Sequence, residues 1–444
     1  MFATPPPRRI IIFLCLIALI FLLSAVPRAL GQEATYTLFA PLLQAFRPIF
    51  TWMPLISQIP PTATPTLTPL PTETPLPTIT PTPPPPPDWS GAYGSVVSMA
   101  VDPFNPDVVY AGSWGGGVFR STNQGNIWTW AGSGLGNYLI DSLAIDPTDG
   151  RILYAGTHAG GVYKSTDSGK HWLLAGHGIQ DGAAVYAIAI HPGNPQVVYA
   201  GTRKTGNGLN LPYGGVLYKS IDGGGSWYPV LADIGGDGVQ DWVYSITLKA
   251  NPDLVLITSH EHGPYLSFSG EAGSWQACQV NGLSEYGKGR AIAFDPRSGS
   301  STAFYATWHG GFYVSSDNGF NWRLATGDLD PIKVYPNGIT FDWGRPDTMY
   351  LPTMDTANGV MKSTDAGRSW SSVGLTTDDI YSVMPLGDGV VLAGTVANGL
   401  FKSTDGGRTW RRSTSGMEIH PAAASPANAQ PVFPEPYEEL RSMP

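Results

Sequence analysis

Charge is scarce in this chain. Asp, Glu, Lys and Arg make up 13% of its 444 residues, against about a quarter in ordinary soluble domains. That excludes a coiled coil and a charged disordered chain. Acids outnumber bases by 34 to 25, for a net charge of −9, so no nucleic-acid groove is expected. Cysteine is nearly absent, with Cys15 and Cys278 alone. No disulfide framework can staple the fold, and Cys278 reads as a small buried residue. Long apolar runs are missing too, with one exception at the start.

That exception is IIIFLCLIALIFLLSAV, from Ile10 to Val26, preceded by Arg8 and Arg9. A basic start, an apolar run and small residues at Ala29 and Gly31 describe a signal peptide. An uncleaved membrane anchor is the rival, and either would export the rest of the chain. Cys15 lies inside the run and is poorly placed for lipid attachment. Residues 32–58 hold two similar apolar motifs, TLFAPLLQ and FTWMPLISQ. In Ile59–Pro87, thirteen of 29 residues are Pro and nine are Thr. Such a linker builds no core and extends by about 3.1 Å per residue. Residues 417–444 lack periodicity and are expected to be disordered.

What is abundant is glycine, 54 residues, and aromatics, with 14 Trp, 20 Tyr and 16 Phe. They fall into a repeat. The octapeptide S-x-D-x-G-x-x-W occurs at Ser165–Trp172, Ser220–Trp227, Ser315–Trp322, Ser363–Trp370 and Ser403–Trp410. Ser121–Trp128 carries Asn123 in the Asp place, and Ser267–Trp275 is one residue too long and lacks the acid. Each unit also shows four strand signals. The first strand aligns with a small column: Ser98, Ser142, Ala187, Ser245, Ala291, Gly338 and Ser382. Small residues suit inner strands crowded around an axis. The expectation is all-β: a seven-bladed β-propeller over residues 88–416.

The octapeptide resembles the Asp-box, or bacterial neuraminidase repeat. Proteins with that repeat include sialidases, xyloglucan-degrading endoglucanases, sortilin-type receptors and a propeller assembly factor of photosystem II. The resemblance covers roughly the last three-quarters of the chain and implies a fold without selecting a function.

The acids and tryptophans of the boxes (Asp167, Trp172, Asp222, Trp227, Asp317, Trp322, Asp365, Trp370, Asp405 and Trp410) read as structural. Asp would fix the turn, Gly supply a positive φ and Trp pack on the hairpin. Antiparallel order puts these turns on one face and the B–C turns and D–A connections on the other. The B–C turns offer Trp114, His158, Arg203, His262, Trp308 and Asp355, the candidate ligand site. Trp114 and Trp308 would stack on a sugar or side chain, and the others would supply hydrogen bonds. An insertion beside Arg203, RKTGNGLNLPYG, enlarges this face. Tyr186, Trp242, Tyr244, Arg290 and Tyr381 add to it from the D–A side. A metal on His260 and His262 with His158 or His309, and calcium on Asp233, Asp237 and Asp241, are weaker alternatives. No metal or cofactor is assigned.

A glycosidase needs two flanking carboxylic acids. The resemblance to xyloglucanases would place an acid in an early B–C turn, where this chain has Ser113 and Trp114. Those enzymes use two propellers around a cleft. Sialidases use three Arg, against Arg203 and Arg290 here. The Arg-rich patch of the photosystem assembly factors is missing. The expectation is an exported, monomeric, non-catalytic propeller that binds glycan or protein. A divergent glycoside hydrolase, with an acid pair drawn from Asp141, Glu261 and Asp355, is the alternative. An assembly factor for an exported or membrane complex is the third.

Overall fold

The computed structural model describes residues 95–204, 217–232, 234, 241–281, 289–308, 311–325, 338–354 and 357–417. The leader, the apolar segment, the Pro/Thr-rich linker and the tail beyond 417 lie outside the described residues, as do most of the blade-three insertion, Asp233, Asp237, His309 and Asp355.

The described chain is all-β: a seven-bladed propeller of seven separate antiparallel sheets. The innermost strands are Ser95–Asp102, Ile140–Asp146, Ala183–Ile190, Val243–Ala250, Gly289–Phe294, Thr340–Asp342 and Ile380–Gly387. Each heads a sheet whose next three strands follow in chain order. Blade five gains a fifth strand, Gln279–Asn281, which runs parallel to Asn321–Leu324 at its outer edge. No helix occurs among the described residues.

Seven apolar clusters hold the ring together, one for each pair of neighbouring blades. Blade one, for instance, gives Tyr110, Val118 and Leu135 to the cluster that blade two completes with Ile140, Leu153 and Trp172. The small column lies at these seams. Ser142 Oγ donates to Val185 O at 2.8 Å and Ser382 Oγ to Val96 O at 3.1 Å, each in the next blade. Gly201, in the strand beside it, has a matching reason: a Cβ there would sit 2.7 Å from Val243 O. Backbone is packed directly against backbone at that seam.

The octapeptide turns form a second belt of seam contacts. In blade three, Ser220 Oγ donates to Asp222 Oδ1 at 2.8 Å, while Asp222 accepts from the Ser226 backbone N–H and hydroxyl at 2.9 and 2.7 Å. The same pattern recurs around Asp365 and Asp405. The Ser226 donors hold Asp222 down at about 2, and Ser369 and Thr409 do the same for Asp365 and Asp405. Asn123 replaces Asp through one amide oxygen, which accepts from Ile127 N at 2.9 Å.

Two details differ from the sequence reading. Positive φ extends to the residue before the box glycine: Ser168 (65°), Asn318 (62°) and Ala366 (58°) share it. The tryptophans also do more than cover their own hairpin. Trp172 Nε1 donates to Ala131 O at 2.7 Å and Trp227 Nε1 to Ala175 O at 2.6 Å, both in the preceding blade. Trp128 closes the ring by donating through Nε1 to Ser413 O and through its backbone N–H to Ser415 O, both at 2.9 Å. Trp322 and Trp370 bond instead to their own box, at Gly319 O and Gly367 O. Trp275, in the irregular box, has a buried Nε1 without a hydrogen-bond partner among the described residues.

A third device ties blade to blade. Tyr154 OH and Lys164 Nζ of blade two both donate to Gly223 O of blade three, at 2.7 and 2.6 Å. Tyr350 and Lys362 treat Gly406 O alike, at 3.4 and 2.9 Å. Blade four has Leu256 and Leu266 at these places, within the apolar cluster it shares with blade five, and there Lys249 of the inner strand instead donates across the seam to Asn318 Oδ1 at 2.8 Å.

Candidate functional site: the axial ring

The opposite end of the inner strands is built differently. In six blades the pairing of the first two strands skips one residue, in each case the one before the small column. The skipped residues are Val97, Asp141, Tyr186, Tyr244, Arg290 and Tyr381. A β-bulge leaves its extra residue out of the ladder and re-aims its side chain. Here all six line a single cavity of about 290 Å³, together with Ser98, Trp114 and Met354. One residue from each of six blades is thus aimed at the axis.

Rings link up around this cavity. Trp114 and His158 meet edge-on with centroids 4.9 Å apart, His158 and Tyr186 are 6.1 Å apart, and Tyr186 and Tyr244 5.1 Å. Trp242 continues the chain to His260 at 4.3 Å. Two guanidiniums lie on these rings. Arg203 sits 4.1 Å from the Trp242 centroid. Arg290 lies between two rings, 4.0 Å from Trp308 and 4.3 Å from Tyr244. Burial raises the Tyr381 hydroxyl well above the ordinary phenol range.

The acids are engaged. Asp141 Oδ1 accepts from Trp114 Nε1 at 2.8 Å, and Oδ2 lies 3.2 Å from His158 Nδ1. Burial raises its carboxyl above the usual range, against the lowering effect of those two bonds. Asp241 is 1% exposed. It accepts from the Glu261 backbone N–H at 3.0 Å, lies 2.8 Å from His262 Nδ1 and bonds the Ser259 hydroxyl. Glu261 Oε1 lies 2.7 Å from His260 Nδ1.

Of the six candidate ligand residues, Trp114 reaches the cavity wall. His158 stands behind it on Asp141, and Arg203 is buried on Trp242. His262 is tied to Asp241, and Asp355 lies outside the described residues. The stacking role expected of Trp308 is corrected: it is 2% exposed and its ring carries Arg290. The calcium alternative is corrected for Asp241, whose carboxylate pins the His260–His262 turn. No group of three or more His, Cys, Asp or Glu able to hold a metal occurs among the described residues. The D–A residues, secondary to the B–C turns in sequence, make up most of the ring. For Tyr186, Tyr244, Arg290 and Tyr381 the signal is the column one place before the small one.

No protein-family model matches the chain, and no curated protein matches it in sequence. Solved structures do match in fold. An ancestral GH74 enzyme aligns over 74% of this chain with a TM-score of 0.57 and 20% identity. The chain spans about half of that enzyme, 48% of its length. A YCF48 protein bound to a D1 peptide aligns over 72% of this chain and 97% of its own, with a TM-score of 0.51 and 14% identity. YCF48 from Cyanidioschyzon merolae aligns over the same shares with a TM-score of 0.50 and 13% identity. At these identities the likeness is one of fold, and the fold this chain shares with them is the seven-bladed β-propeller.

Proposed function

We propose that the chain is an exported β-propeller that binds glycan, without hydrolysing it, through the aromatic ring at its axis. One observation carries the reading. Asp141 is the only carboxylate among the described residues lining the axial cavity, and both of its oxygens are bonded to Trp114 and His158. Glycosidic hydrolysis asks for two acids flanking the bond. Binding asks for ring faces and hydroxyl donors around a pocket, which Trp114, Tyr186, Tyr244, Tyr381 and Ser98 supply.

The test is a glycan array probed with residues 88–416, followed by a hydrolysis assay on each hit. Binding without product release is the expected result. Turnover abolished by Asp141→Asn would replace the reading with a divergent glycoside hydrolase, in line with the GH74 neighbour. A protein ligand is the second reading. It is favoured by the YCF48 neighbour with its bound D1 peptide, and would be marked by co-purification of a partner that Trp114→Ala releases.

A further inference from the structure

Arg290 is the odd member of the ring. It is 7% exposed, yet it forms no ion pair among the described residues, and its Nε has no hydrogen-bond partner. Buried cations are normally paired, because the desolvation of an unpaired one is not repaid. Here Trp308 and Tyr244 cover both faces of the guanidinium. Stacking stabilises the cation and fixes its plane, leaving its N–H edge free to bond.

Hydroxyls share the deficit. The hydroxyls of Tyr381 and Ser98 are buried and unpartnered, and both residues line the same cavity. Asp141, the carboxylate beside them, is already committed to Trp114 and His158. The cavity therefore holds one fixed cation and spare hydroxyls, those of Tyr381 and Ser98 among them, that lack an acceptor among the described residues.

We propose that this cavity is a carboxylate subsite, and that its occupant is a hexuronic acid unit of a glycan, held by its carboxylate on the Arg290 edge. The inference rests on the glycan-binding reading and narrows it. A planar fork of N–H donors matches a planar carboxylate with two parallel bonds. The volume of about 290 Å³ is at the low end of ligand pockets, about 300–1,000 Å³. It suits one sugar unit better than a length of chain. Sugar hydroxyls would meet Tyr381 and Ser98, and an apolar ring face would meet Trp114. A peptide carboxylate would satisfy Arg290 equally, and a tripeptide with a free C-terminus is therefore the control that separates the two.

The experiment uses the full-length chain and calorimetric titration. The probes are oligosaccharides ending in galacturonate or glucuronate, their carboxyl-reduced neutral twins, and a tripeptide with a free C-terminal carboxylate. The expected result is that an acidic sugar binds about tenfold or more tighter than its twin, the scale of a hydrogen-bonded charge pair. Arg290→Gln should erase that preference while the weak binding of the neutral twin remains. Arg290→Lys should restore part of it. Tyr381→Phe should weaken the acidic sugar several-fold at an unchanged melting temperature, and this remains readable if Arg290→Gln fails to fold. Equal binding of acidic and neutral sugars overturns the inference and leaves glycan binding standing. So does a preference that survives in Arg290→Gln. Binding of the tripeptide with none of any sugar overturns both.

Discussion

The two ends of the inner strands obey opposite rules. At the octapeptide end, the same side chains recur from blade to blade and almost every donor finds an acceptor. Ser220, Asp222, Ser226, Trp227, Tyr154 and Lys164 are all bonded within one seam. At the axial end the bulge positions carry Val, Asp, Tyr and Arg in turn, and buried donors on Arg290, Tyr381 and Ser98 have no partner among the described residues. Repetition marks what every blade needs to stand. Departure from repetition marks the place where the proposed ligand would sit.

The largest expected effect tests the first half of that contrast. Trp172 is 1% exposed and bonds across its seam. Its replacement by Ala should cost about 3–5 kcal/mol, read by denaturant unfolding, with affinity unchanged in protein that still folds. Equal stability would mean that the belt of indoles is ornamental.

A paired experiment comes next, because one substitution should act differently at the two ends. Tyr154→Phe removes a bonded hydroxyl and leaves Gly223 O with Lys164 alone, a loss of about 0.5–1.5 kcal/mol. Tyr381→Phe removes a buried hydroxyl that has no partner among the described residues. It should be neutral or stabilising in thermal melts without ligand. Similar losses at both positions would break the comparison.

Ala366 holds a φ of 58°, a conformation costly for a residue with a Cβ. Ala366→Gly should stabilise by about 0.5–1 kcal/mol, the relieved strain exceeding the added chain entropy. A destabilised variant would show that Ala366 makes a contact worth more than its strain.

The mildest effect per residue is electrostatic. Asp222, Asp365 and Asp405 titrate at about 2 when folded and at about 3.9 when unfolded. A lowered acid stabilises the fold fully above the unfolded value, and that contribution fades as pH falls towards the folded one. Melting temperature should decline from about pH 4 to pH 2. Asp365→Asn should flatten part of that decline while still folding, because Asn123 already fills the same role.

These differences also explain what could be read from the residues alone. The blades were legible because one physical demand, a turn that locks itself, is met five times with the same letters and twice with variants of them. The column of Ser98, Ser142 and Ala187 was legible for the same reason. The ring was only half legible. Val97, Asp141, Tyr186, Tyr244, Arg290 and Tyr381 share a place but, apart from the three tyrosines, no chemistry, and a bulge interrupts the period-two alternation that would give their direction. The B–C turns, with their His and Trp, therefore stand out first. Arg203 and Trp308 there proved to be braces, one lying on Trp242 and the other lying under Arg290.

The bond from Trp128 to Ser413 spans 285 residues. Its consequence lies in time as well as space. Blade one is made first among the blades, but its indole has no acceptor until the last turn of the propeller has emerged. Loop closure over such a separation is slow compared with the pairing of adjacent strands. Six seams can form in the order of synthesis, while the seventh joins the two ends of the ring. Until it does, the apolar flank that Met99, Val109 and Phe119 present to Leu392 and Leu400 is open. The latch at Ser413–Met417 decides how long that exposure lasts.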